Sequence, residues 1–191
     1  MRIVAGTWRG RQIAAPTHGT RPTLDRARQI AFDILGPSVV GKRVLDLFAG
    51  SGALGLEALS RGGSEAVFVE SSPRAAKVLR KNIQSLGAEG ATQIVERPVA
   101  KALPSLAERG ERFDWIFADP PYGGRDAGVL LEWMDEFGSS ILQPDGGVLL
   151  EIGQRDSRPV TSRLRMIRER VVGETVLCFL SWLVTDEGND R

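Results

Sequence analysis

The stretch "VLDLFAGSGALGLEAL", residues 44 to 59, limits the possible folds more than any other segment. A short apolar run passes through Gly50, Gly52 and Gly55 directly into a helical pattern. A strand with no polar alternation is buried on both faces, which is the condition of a strand inside a parallel sheet. Parallel strands in turn need crossover connections, usually helices. The rest of the chain repeats this unit. Residues 43–49, 65–70, 92–96, 113–118 and 147–152 read as strands, and 54–61, 73–86, 99–109 and 126–140 as helices, the second opened by Ser72 as cap with Pro73 at its first position. The rhythm breaks at the end. Residues 165–173 and 174–184 are two strand-like runs with no helix between them, and they predict an antiparallel pair. The expected class is α/β, a mostly parallel seven-stranded sheet closed by an antiparallel C-terminal hairpin.

Residues 1–43 follow another pattern. "RIVAGTWRGRQI" has strand-like ends around Gly6 and Gly10 and predicts a short hairpin or arm; Thr23 is expected to cap a helix over 24–35 whose Ile30, Phe32, Ile34 and Leu35 face inward. The division expected is an accessory basic arm and helix over 1–43, one main domain over 44–184, and a polar tail over 185–191. Net charge is only +1, yet residues 1–43 carry eight Lys and Arg against Asp25 and Asp33, a local balance of +6 that leaves −5 for the remainder. A basic arm on a near-neutral body is the charge pattern of a nucleic-acid partner. The single cysteine, Cys178, lies in an apolar run and reads as a buried small hydrophobe. No apolar segment approaches about 18 residues, so a cytoplasmic protein without a membrane span is expected.

Gly50, Gly52 and Gly55 satisfy G-x-G-x-x-G, and Glu70 closes the next strand where a ribose-binding acid is expected. Taken alone, that pattern fits a nicotinamide dinucleotide. The same geometry serves S-adenosylmethionine. Asp46 favours the second, because a mid-strand carboxylate four residues before Gly50 suits a positively charged donor and crowds a pyrophosphate.

"DPPY", residues 119 to 122, has no task in a dehydrogenase. Two prolines fix the backbone and remove two N–H donors, leaving carbonyls to accept. An exocyclic base amine is a poor nucleophile, because its lone pair is delocalised into the ring. The Asp119 carboxylate and the Pro120 carbonyl can hold both its N–H groups as it turns tetrahedral, and the Tyr122 ring offers a face on which a flipped base stacks. No metal is needed, and His18, the only histidine, has no Cys or His companions.

"RIVAGTWRGRQI", "RPTLDRARQIAFDIL", "VLDLFAGSGALGLEALSRG" and "DPPYG" together resemble the RsmD-type bacterial 16S ribosomal RNA guanine-N2 methyltransferases, a branch of the Rossmann-like class I enzymes that use S-adenosylmethionine. The resemblance implies methylation of one guanine N2 in small-subunit rRNA, presented on an assembling subunit; a monomer is expected. It implies a donor site of Asp46, Phe48, Ala49, Gly50, Ser51, Gly52, Glu70, Ser71, Val99 and Asp119, helped by Arg21 and Thr23, and catalytic roles for Asp119, Pro120 and Tyr122. Arg9, Arg11, Arg21 and Arg26 are the expected RNA contacts. Two positions depart from the family pattern: Val99 stands where Asp or Asn often meets the adenine amine, and Gln29 where Glu is usual. The rival function is an adenine-N6 methyltransferase acting on DNA, since the same acid, carbonyl and ring suit any base amine.

Other features keep two readings each. Trp8 either stacks on a base or pins the arm. Trp115, Trp133 and Trp182 fit core positions. Arginines 155, 158, 163, 165, 168 and 170 either extend an RNA-binding face or are solvated charges of an edge strand.

Overall fold

In the computed structural model, which describes residues 1–15, 22–121 and 126–183, seven strands form one sheet in the order β3-β2-β1-β4-β5-β7-β6. Strands β1 (Arg43–Leu47), β2 (Glu65–Val69), β3 (Thr92–Val95), β4 (Phe113–Ala118) and β5 (Leu142–Gly153) run parallel. Strand β7 (Thr175–Trp182) pairs antiparallel with β5 and with β6 (Leu164–Val172), which confirms the predicted terminal hairpin. Helices α1 (Pro22–Leu35), α2 (Ala53–Ser60), α3 (Pro73–Leu86), α4 (Val99–Glu108) and α5 (Asp126–Phe137) cover the two faces.

Strand alternation sorts the core into two halves. Val44, Phe68, Phe117, Leu149 and Phe179 pack with α1, α2, α3 and with Ile3 and Ile13 of the arm. Leu45, Val67, Ile116, Leu150 and Leu180 pack with α4 and α5. Each such fully buried side chain contributes about 1.5–3 kcal/mol. The sheet order reverses between β1 and β4, and the crevice at their carboxyl ends is where an open α/β sheet binds its ligands.

Helix α3 matches its predicted bounds because its ends are written locally: Ser72 accepts from the Ala75 amide and Gly87 ends it with φ 69°. Elsewhere the bounds shift. Helix α1 starts at Pro22 and therefore includes Thr23, expected as its cap, because proline already holds the φ of a first helical residue. Strand β1 stops at Leu47, since Phe48 turns to φ 59°. Strand β5 begins five residues early, at Leu142, because pairing with Phe113 extends it through a Pro-Asp-Gly-Gly segment of weak strand propensity.

Residues 1–15 are tied down by buried polar side chains. Both Glu57 oxygens accept amides of the arm, from Val4 at 2.7 Å and Ala5 at 3.0 Å. Ser60 accepts the Trp8 amide at 2.9 Å and donates to the Ala5 carbonyl at 2.6 Å. Asn82 of α3 holds Ala14 through both its amide and its carbonyl, at 2.8 and 2.9 Å, and donates to the Ser51 carbonyl of the glycine loop at 2.9 Å. Arg28 is 4% exposed, donates to the Arg2 carbonyl at 2.6 Å and sits 3.5 Å from Glu57. Trp8, half-buried, packs on the same core and pins the arm. Arg61, at the end of α2, bonds Glu57 at 2.8 Å and covers the Phe32 ring.

Candidate active site

The glycine loop is built from what surrounds it. Phe48 adopts the left-handed backbone, which costs a non-glycine residue roughly 1–2 kcal/mol. The Ala49 amide donates to the Val69 carbonyl at 3.0 Å, the Gly50 amide to Glu70 Oε2 at 2.7 Å, and the Gly52 amide to the Ala49 carbonyl at 2.7 Å. Gly52 has φ 79°, and a Cβ there would stand 2.3 Å from Leu79 Cδ1, so a side chain would be strained and would displace the packed Leu79. The other Glu70 oxygen accepts the Ser72 amide at 2.7 Å. Glu70 thus fixes the loop on one side and the start of α3 on the other. Each oxygen keeps a second lone pair for a hydroxyl.

Asp46 lies beneath the loop, 2% exposed, where its Oδ2 accepts the Gly55 amide at 2.8 Å. Burial pushes its pKa up to about 8, against the opposing pull of the Gly55 hydrogen bond and with a further rise from Glu70.

Register carries the other acids to the same place. Asp46 pairs with Phe117, and Phe117 with Leu149. Two residues further on, Asp119 and Glu151 therefore project from the same face at the ends of β4 and β5. Asp119 is exposed to solvent yet surrounded by protein on the side of the cavity it lines. Its pKa is raised well above the ordinary carboxylate value by that desolvation first, then by the Glu151 and Asp46 charges. Asp46 and Asp119, from neighbouring strands, are thus held toward their protonated forms, and a cationic group beside them would favour their ionisation.

A cavity of about 610 Å³ opens at this crossover, in the usual range for small-ligand sites of roughly 300–1,000 Å³. Of the residues picked from sequence, Phe48, Glu70, Ser71, Val99, Asp119 and Pro120 line it. Asp46, Ala49, Ser51 and Gly52 are buried, and neither they nor Gly50 reach its wall. Val99 and Ala100 begin α4, and the amides of a helix's first two residues have no partner within it, so they offer donors where the sequence has no acid or amide side chain; the Lys101 and Ala102 amides already donate to the Pro98 carbonyl. Arg21 and Tyr122 lie outside the described residues, as does the Thr23 side chain. Arg9, Arg11 and Arg26 are exposed; Arg11 also donates to the Ser85 carbonyl at the end of α3.

Two site residues escaped the sequence analysis. Trp133 of α5, expected in the core, is half-buried and lines the cavity. Glu151 was legible only as a lone acid in the apolar run "GVLLEI". Among the described residues no group of His, Cys, Asp and Glu could hold a metal ion, and no helix is long and apolar enough to cross a membrane.

Comparison with known proteins gives a consistent set. The family model described as conserved hypothetical protein 95 matches residues 1–181. Ribosomal RNA small subunit methyltransferase D of Escherichia coli K12 is 42% identical over 123 residues, 64% of this chain and 60% of that protein. YlbH of Bacillus subtilis, provisionally named an rRNA methyltransferase, is 36% identical over 92% of this chain and 95% of its own length. The solved structure of Escherichia coli yhhF, provisionally named a methyltransferase, has a TM-score of 0.81 at 33% identity and covers 97% of this chain and 99% of that one.

Proposed function

The chain belongs to the conserved hypothetical protein 95 family, that of the RsmD methyltransferases, and on this footing we propose that it transfers a methyl group from S-adenosylmethionine to the exocyclic N2 amine of a guanine in 16S ribosomal RNA. The observation that carries the proposal is the Asp119-Pro120-Pro121 segment, held at the sheet crossover on the wall of the 610 Å³ cavity.

The cavity suits the donor. Its wall carries Glu70 and Ser71 for ribose hydroxyls, and apolar Val99, Leu103 and Trp133 for a flat ring. A cation held near Asp46 and Asp119 would favour the ionised form of both acids. When bound, the donor supplies a methyl activated by a sulfonium. The protein's part is to bring up the amine and prepare it. Asp119 and the Pro120 carbonyl accept its two N–H groups, which favours the tetrahedral, nucleophilic nitrogen. Asp119 has a raised pKa and so is a stronger base than a surface aspartate, suited to take the proton that the methylated nitrogen releases. Tyr122 gives the base a stacking face in this scheme, and Asp46 with the loop of Gly50, Ser51 and Gly52 shapes the donor's methionine end.

Arg9, Arg11, Arg21 and Arg26 are proposed to contact RNA phosphates. We take residues 1–43 as an accessory module of the 44–184 domain; the burial of Ile3 and Ile13 in the core of the sheet supports this. The protein is proposed to act as a cytoplasmic monomer on an assembling small subunit.

The test is transfer from labelled S-adenosylmethionine to small subunits, free 16S rRNA and genomic DNA from cells lacking this protein, followed by digestion to nucleosides. N2-methylguanosine from the ribosomal samples is expected. N6-methyladenine from DNA would overturn the assignment and leave the fold in place.

A further inference from the structure

Strand β6 is the last of the sheet, bonded to β7 alone. Charge on such an edge commonly serves to block pairing with another chain, and for that purpose it can point either way. Here the arginines point one way. Arg165 is opposite Ser181, Arg168 opposite Phe179 and Arg170 opposite Leu177, and directly opposed residues share a face. Residues 165 and 168 would fall on opposite faces of a regular strand. A register shift between Met166 and Arg168 adds one residue and restores the phase.

The shared face is that of α1, α2 and the arm, because Leu177 and Phe179 belong to the core on that side. All three arginines are exposed, and among the described residues none of them is in an ion pair. Glu169, opposite Cys178 and thus on the other face, is paired with Arg158 at 3.0 Å. Arg168 and Arg170 stand roughly 6.7 Å apart along the strand and border a groove of about 530 Å³ against Ile30, Asp33 and Ile34 of α1. The Asp33 carboxylate in that groove lies 3.4 Å from Arg61. The row also has a direction. Val172 is opposite Thr175, which is opposite Gly153 at the carboxyl end of β5, so the arginines climb toward the rim where Asp119 sits.

We infer that Arg165, Arg168 and Arg170 form a second row of phosphate contacts, which guides the RNA strand along β6 toward the catalytic rim. The inference rests on RNA being the acceptor. Its occupant is the RNA backbone, recognised by charge and spacing and without base specificity.

The test uses the full chain and the triple variant Arg165→Ala, Arg168→Ala, Arg170→Ala, with 16S rRNA bound over a range of salt. The slope of log affinity against log salt is expected to become shallower by about 2–3, since each phosphate contact contributes roughly 0.7–0.9. KM for RNA should rise several-fold, with turnover at saturating RNA and the melting temperature kept. The triple Lys variant should restore the slope, because a phosphate needs only the charge. An unchanged slope overturns the inference, as does unchanged RNA affinity combined with self-association, which would make the row an edge guard. Loss of affinity for assembled particles alone, with free rRNA bound as before, would assign the row to a protein partner instead. A wild-type chain that methylates DNA and not rRNA would strike the proposed function itself, an outcome distinct from these.

Discussion

The Gly55 amide donates to Asp46 Oδ2 at 2.8 Å, so the first turn of α2 is capped by a carboxylate nine residues back in β1. Gly52, the residue before the helix, has no side chain with which to cap. One group inside β1 therefore also caps a helix, and the cost of that placement is a buried acid.

That cost is visible in pH. The folded pKa of Asp46 is raised to about 8 from 3.8, so its protonated form favours the native state. The contribution is complete below about pH 4 and is lost as pH rises through about 8. Melting temperature should therefore fall more between pH 5 and 8, roughly, for the wild type than for Asp46→Asn, and saturating S-adenosylmethionine should narrow the difference. Parallel pH profiles without donor would count against this role.

Asp119→Ala is expected to lower methyl transfer by about 10²–10³-fold, the usual loss for one preorganised partner of the transition state, with donor affinity within a few-fold of wild type. The wild-type rate should also fall on acidification at a pH above the ordinary carboxylate range, because a protonated Asp119 accepts less well. Near-normal turnover in single-turnover assays would remove Asp119 from the chemistry.

Gly6 has φ 81°, and a Cβ there would lie 1.7 Å from the Ser60 carbonyl oxygen. Gly6→Ala should lift the arm at this point and destabilise the fold by about 1–3 kcal/mol. Hydrogen exchange checks it: the Thr7 and Trp8 amides, bonded to Ser60, should exchange sooner than those of the sheet.

Glu57, fully buried, serves Val4, Ala5 and Arg61 and neighbours Arg28. Glu57→Ala leaves the buried Arg28 with much less compensation and should cost about 3–5 kcal/mol in denaturant unfolding. Glu57→Gln, which keeps an acceptor for one amide, should cost less.

Replacing Arg9 and Arg11 together by Ala should reduce the salt slope of RNA binding by about 1–2. Arg11 also holds Ser85, so its single variant should loosen the arm as well, whereas Arg9→Ala should change RNA binding alone. An unchanged slope in the double variant would take the arm away from RNA.

What the sequence revealed and what it hid follow from the range of the forces involved. Helix α3 was legible to the residue because Ser72, Pro73 and Gly87 act on their own turns. Glu70 and Asp119 were legible because each directly follows a strand in a spacing that chemistry demands. Glu57, Asn82 and Trp133 were not: on a helix pattern a Glu, an Asn or a Trp is unremarkable until the segment 50 or more residues away is seen against it. The early start of β5 was hidden for the same reason, since its partner Phe113 lies in another strand.

The ties of the arm also bear on how the chain folds. Residues 4, 5, 8 and 14 meet partners 52 to 68 positions later, so none of these bonds can form until α2 and α3 exist. The loop to be closed is long, and its entropy must be met before any of the bonds rewards it. The arm is therefore expected to dock late, as a latch on a body already assembled. Weakening it through Asn82→Ala should leave the folding limb of the chevron nearly unchanged and steepen the loss on the unfolding side, so that the arm sets how long the folded enzyme lasts more than how fast it is made.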